Sequence, residues 1–131
     1  MTHVTAATGK ERYKTQVKTA HHILTVDEPR DIGGGDLGPK PGELLAASLA
    51  SCTSITLRMY ADRKGWDLHE AMVGVTLDNF PAEGRAEFKM EIRLFGDLGD
   101  DQRLKMLEIA NKCPVHRMLK NTISIQTVLK D

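Results

Sequence analysis

The run Glu43-Leu44-Leu45-Ala46-Ala47-Ser48-Leu49-Ala50-Ser51-Cys52-Thr53-Ser54-Ile55-Thr56-Leu57-Arg58-Met59-Tyr60-Ala61-Asp62-Arg63-Lys64 decides the reading of this chain. It has no interior glycine or proline, and leucine and alanine, both strong helix formers, dominate it. Pro41 stands just before it and Gly65 just past it, the asymmetry expected at the two ends of a helix. Its first half, Leu44 to Leu57, is poor in charge and reads as centrally buried. Arg58, Asp62, Arg63 and Lys64 collect at the C-terminal end, where the helix should emerge toward solvent.

Upstream, Asp31 to Gly42 holds five glycines and two prolines and reads as an irregular connection. Too little chain precedes it to fold alone, so it is no domain linker. Before it, Tyr13 to Ala20 and Ile23 to Asp27 read as two strands about a polar turn at His21 and His22. Downstream, Val73 to Phe80 and Arg85 to Phe95 alternate apolar and polar residues across the short connection Pro81 to Gly84, the pattern of an antiparallel pair. Asp100 to Lys112 reads as an amphipathic helix. Met106, Leu107, Ile109 and Ala110 form its apolar face, with Leu104 at the edge. Cys113-Pro114 interrupts it and starts a second short helix through Leu119. Thr122 to Leu129 reads as a closing β-branched strand. The order is strands, long helix, strands, helices, strand: an α+β fold in one domain spanning residues 1–131.

The chain has 131 residues, enough for one core. Hydrophobic residues at 40% and charged residues at 27% are those of a globular protein. Lysine plus arginine, 18, equals aspartate plus glutamate, 18, which argues against nucleic acid or a membrane surface as partner. Met1 to Lys10 is polar and lacks the apolar core of a secretory signal, and no uninterrupted apolar run approaches a membrane span. A cytoplasmic location is therefore expected, where thiols stay reduced and a structural disulfide is disfavoured.

The two cysteines, Cys52 and Cys113, are then either small buried hydrophobes or reactive groups. Cys52 sits among small helical residues and taken alone suits a core position. Cys113 precedes a proline, which places it at or next to a helix N-cap. Unpaired N–H groups and the helix dipole stabilise a thiolate there, and Lys112, His116 and Arg117 offer nearby positive charge. The bland alternative is a cysteine that only caps the helix. As a pair, an attacking thiolate and a resolving thiol fit. A separation of 61 positions excludes a thioredoxin-type motif and a zinc ligand set.

Two stretches resemble a known family. Gly38 to Thr53, continued by Leu57-Arg58-Met59-Tyr60-Ala61, is similar to the central helix of the OsmC/Ohr thiol peroxidases, and Cys113-Pro114-Val115-His116-Arg117 is similar to their second cysteine motif. The resemblance runs from about Tyr13 to Leu129. It implies an intertwined homodimer with antiparallel sheets packed around the long helix. It also implies reduction of organic hydroperoxides, with Cys52 as peroxidatic and Cys113 as resolving cysteine. No cofactor is implied beyond an external dithiol reductant. Family members activate the thiolate with a guanidinium and a carboxylate. Arg30 is the candidate cation here, with Arg12 the alternative, and Glu43 the orienting carboxylate. Glu43 lies nine residues before Cys52, and Gly42 occupies the position where the better-characterised branches carry glutamate. That is the pattern of the less characterised branch.

Each of these residues also has a plainer reading. Arg30 suits a solvated loop charge, and Glu43 suits a carboxylate at a helix N-terminus. His21, His22 and His3 suit solvent better than a metal, since adjacent strand residues face opposite ways. Met90, Met106 and Met118 fall at apolar-pattern positions, and Trp66 reads as packing. The alternative to a peroxidase is a non-catalytic module of the same fold, binding an apolar small molecule at a dimer interface. A cysteine hydrolase would need a histidine base beside Cys52, and the sequence places none.

Overall fold

The structure is a computed structural model that describes residues 1–130. The elements in chain order are β1 (Thr5–Thr8), β2 (Thr15–Lys18), β3 (Ile23–Val26), α1 (Pro41–Lys64), β4 (Asp67–Phe80), β5 (Arg85–Asp97), α2 (Asp100–Ala110) and α3 (Pro114–Lys120). This is the expected α+β composition, with antiparallel sheets and one long helix. The chain divides into two compact units, residues 1–45 and 46–131.

In the first unit β1, β2 and β3 form an antiparallel meander, with Val17 of β2 opposite Ala6 and Leu24. Strand β1, Thr-Ala-Ala-Thr, is exposed at every residue and shows no alternation, so the sequence gives no sign of it. Asp27, 1% exposed, organises the connection that follows β3. Its carboxylate accepts the backbone N–H groups of Glu28 (2.7 Å), Tyr13 (2.9 Å) and Leu37 (3.2 Å). Two glycines are required there by close approach: a Cβ on Gly34 would collide with the Glu28 carbonyl, and one on Gly38 with that of Thr25.

The second unit is built on α1, the β4–β5 hairpin and α2. Val73 faces Ile92, Val75 faces Met90 and Leu77 faces Phe88 across the hairpin. A 3-10 turn at Pro81–Glu83 closes it, followed by Gly84 at φ 65°, a left-handed conformation that suits glycine. Leu57, Tyr60 and Ala61 of α1 pack with Leu68, Leu98, Met106, Ile109 and Ala110 into one core, flanked by Trp66, Ala71, Val73, Ile92 and Leu94. Leu57 is wholly buried, which stabilises the unit by about 1.5–3 kcal/mol. Trp66 packs edge-on against Tyr60, ring centroids 5.4 Å apart, as its packing role requires. The Arg103 guanidinium of α2 donates to the carbonyls of Leu94 (3.1 Å) and Leu98 (3.3 Å), tying the helix to the end of β5.

Several expectations are corrected. Helix α1 begins at Pro41, because proline fits the first helical turn, where its missing N–H costs nothing. Leu44 to Leu57 is not broadly buried. Coverage is confined to a stripe through Leu49, Thr53, Leu57, Tyr60 and Ala61, while Leu45 and Ile55 are exposed. One face of a helix reaches a single core, however apolar the rest may be. Helix α1 is long and apolar enough to cross a membrane, but its buried stripe against α2 and the hairpin is that of a core helix. Helix α2 ends at Ala110, and its face narrows to Met106, Ile109 and Ala110, with Leu104 and Leu107 exposed. Met118, read as core or interface, is exposed in the single chain and so is no core residue. Thr122 to Leu129 forms no strand: a β-branched run needs a sheet edge to pair with, and it has none among the described residues.

Candidate functional site

Helix α1 presents Cys52 beside its buried stripe, one residue before the wholly buried Thr53. The short link after α2 delivers Cys113 to the same place. Backbone torsions of φ −64° and ψ 141° make Cys113 the N-cap of α3, with Pro114 at the first helical position. The Cys113 Sγ accepts the His116 N–H at 3.3 Å, which satisfies one of the helix's free donors. Cys113 is entirely buried and Cys52 partly exposed, and both are free thiols.

The two thiols lie close enough for each to shift the other's ionisation, so residues 61 positions apart form one thiol pair. Their ionisation differs. Burial resists charge on Cys113, but the His116 N–H, the Cys52 thiol, the Thr53 hydroxyl and the Val115 N–H together bring its pKa below the ordinary thiol value. Burial pushes the Cys52 thiol up. The Val115 N–H and Thr56 hydroxyl oppose this, and the neighbouring Cys113 adds to it. The two opposite directions favour Cys113 over Cys52 as the sulfur that carries the first charge of the pair. The lowering at Cys113 comes from backbone, thiol and hydroxyl donors, and Lys112, anticipated from the sequence as a nearby cation, has its Nζ 3.6 Å from Glu108.

Apart from His116, the other sequence candidates belong to the first unit. Glu43 is exposed and its Oε1 accepts the Lys40 N–H at 3.0 Å, the plain N-terminal role of a carboxylate. Arg30 is exposed at the start of a 3-10 turn, Arg30–Ile32, that closes at Gly33 (φ 96°). Arg12 is exposed as well. His21 and His22 are exposed on the β2–β3 turn. The His116 ring is partly buried, and its Nδ1 lacks a hydrogen-bond partner.

Thr53 escaped the sequence reading. It lies four residues after Leu49 and four before Leu57, so a polar residue on a buried stripe was the available signal. Besides Cys113, its hydroxyl reaches Met90 Sδ at 3.6 Å.

A family profile described as OsmC-like protein matches residues 33–128. The chain belongs to the OsmC-like family. The match spans α1 and both cysteine motifs. Solved structures share the fold of this OsmC-like chain. An OsmC-like protein of Mycoplasma pneumoniae superimposes with a TM-score of 0.76 at 17% identity, covering 92% of this chain and 87% of the other. An organic hydroperoxide resistance protein of Legionella pneumophila gives 0.67 at 21% identity, covering 92% and 89%. An organic hydroperoxide resistance protein of Bacillus subtilis gives 0.64 at 19% identity, covering 92% and 90%. No curated protein matches the chain.

Proposed function

We propose that this OsmC-like chain is a thiol-dependent peroxidase that reduces organic hydroperoxides. The supporting observation is the thiol pair itself: two free cysteines that shift each other's ionisation, one partly open and one sealed. Two of the structural relatives are named for organic hydroperoxide resistance, which agrees with this chemistry. In the proposed cycle the Cys52 thiolate attacks one oxygen of the peroxide. The O–O bond breaks, the alcohol leaves with a proton, and Cys52 becomes a sulfenic acid. The Cys113 thiolate then attacks the Cys52 sulfur, expels the hydroxyl as water with one proton, and closes a disulfide. An external dithiol restores both thiols. No cofactor is required. Arg30 and Glu43 are the proposed activating cation and orienting carboxylate, acting on Cys52 in the assembled protein.

The reading takes residues 1–131 as one domain working in the cytoplasm as an intertwined homodimer. Ile123, Ile125, Val128 and Leu129 are all exposed, on a run that pairs with no strand among the described residues. A second copy would give that run a sheet edge.

The test is a free-thiol titration of reduced protein before and after one equivalent of cumene hydroperoxide. Wild type should lose both thiols and Cys52→Ser should keep its remaining one. Persistence of both wild-type thiols through excess peroxide would refute the proposal. That outcome would favour a second reading, a non-catalytic module binding an apolar small molecule, which the upward-pushed Cys52 thiol supports.

A further inference from the structure

The proposed cycle, on which this inference rests, leaves open which sulfur of the disulfide the reductant attacks. We propose that the external thiolate attacks Cys52 Sγ and that Cys113 Sγ is the leaving group.

Access favours this direction. An incoming thiolate must approach along the line of the S–S bond, and it needs an open face on the sulfur it attacks. Cys52 is partly exposed on α1, whereas Cys113 has no exposed surface at all. Attack at Cys113 would require the link between α2 and α3 to open, and that link carries the core residues Ile109 and Ala110 at one end.

The charge balance favours it too. As the bond breaks, its electron pair passes to the leaving sulfur, and exchange is faster when that sulfur bears negative charge well. At Cys113 a receptor for that charge is already in place, the His116 N–H at 3.3 Å, with the Thr53 hydroxyl beside it, while the Val115 N–H serves both sulfurs. Cys52 lies inside a helix, where its own backbone offers no free N–H donors. The first step gives a mixed disulfide between Cys52 and the reductant, with Cys113 as thiolate. In the second step another reductant thiolate attacks the reductant's sulfur and expels Cys52 thiolate. Two thiols become one disulfide, two protons are released, and two electrons reach the protein. The reductant is thus a small thiol or dithiol able to reach the open side of Cys52.

The experiment starts from full-length protein oxidised with diamide, which forms the disulfide without any peroxide. After desalting, 2-mercaptoethanol is added and the reaction is stopped with acid at early times. Free thiols are blocked with N-ethylmaleimide, and the two cysteine peptides are identified by mass spectrometry. Mercaptoethanol should be found on Cys52 and maleimide on Cys113, in roughly tenfold excess over the reverse. In parallel, Thr53→Val should slow the opening several-fold, with Thr53→Ser restoring it. A reversed or even distribution would overturn the proposal, and so would failure of diamide to join the two cysteines. If diamide closes the pair and mercaptoethanol opens it at Cys52 while cumene hydroperoxide leaves both thiols untouched, the peroxidase reading alone falls.

Discussion

Replacing Thr53 with valine keeps the volume of a fully buried side chain and removes one hydroxyl donor from the thiol pair. A hydrogen bond to a charged acceptor contributes about 1.5–3 kcal/mol. The low end applies here, because sulfur is a diffuse acceptor and the same hydroxyl also reaches Met90 Sδ at 3.6 Å. A loss of about 1.4 kcal/mol corresponds to a factor of ten, so the thiolate-to-thiol ratio of Cys113 at fixed pH should fall roughly tenfold. The measurement uses a Cys52→Ser background, so that only one thiol titrates, and follows thiolate absorbance at 240 nm against pH. Thr53→Val is compared with its parent and with Thr53→Ser, which keeps the donor and should retain most of the effect. Circular dichroism checks that all three remain folded. A ratio unchanged by valine, or raised by it, would refute the argument that the hydroxyl holds charge on Cys113.

Three further outcomes follow from the packing and the backbone. Leu57→Ala empties a wholly buried position in the core and should lower stability by roughly 2–5 kcal/mol in urea unfolding; a loss below about 1 kcal/mol would show that the core collapses around the gap. Gly38→Ala drives a Cβ into the Thr25 carbonyl and should cost roughly 1–3 kcal/mol, read as an earlier thermal transition, and an unchanged transition would contradict the close approach. Burial of Asp27 opposes its charge, but the N–H groups of Glu28, Tyr13, Leu37 and Gly35 hold its carboxyl below the usual range. Its stabilisation is therefore complete above the unfolded carboxylate pKa and is lost as pH falls through the lower folded value. Asp27→Asn should be less stable than wild type near neutrality, with a gap that narrows in acid; a gap that widens in acid would reverse the sign of the argument.

The long helix, the β4–β5 hairpin and the α2–α3 break were legible because their signals are local: helix formers between proline and glycine, alternation across a tight turn, and a proline after Cys113. What failed depended on partners. The apolar flank of α1 at Leu45 and Ile55, the α2 edge at Leu104 and Leu107, and the β-branched run 122–129 all carry patterns of burial, yet all are exposed in the single chain. Periodicity records which faces seek cover and not where the cover comes from. The exposed strand β1 shows the converse, since it pairs through its backbone and one hydroxyl contact, Thr8 to Thr15 at 2.6 Å, and leaves no mark in apolar pattern.

The site divides in the same way. Helix propensity and the Cys113-Pro114 step placed one sulfur at an N-cap, and its lowered pKa follows from that placement. Cys52 was named as its partner, but that the two thiols meet, with Thr53 beside them, was hidden because they arrive from different elements, and only the interrupted apolar stripe of α1 marked that face. The ionisation order that results sets a condition on the proposed chemistry. The directions favour charge on Cys113 before Cys52, and that charge raises the barrier to a second thiolate beside it. A resolving thiolate poised in this way would capture a sulfenic acid as soon as it formed. The peroxidatic thiol must instead lose its proton when peroxide binds, either to Cys113 itself or under a cation brought to its open side. The first route needs no residue beyond the pair: in the proposed cycle, proton transfer from Cys52 to the neighbouring Cys113 would exchange which sulfur is charged. The open sulfur is then the nucleophile and the sealed one the acid, and formation of the sulfenic acid allows the proton to leave and the resolving thiolate to return.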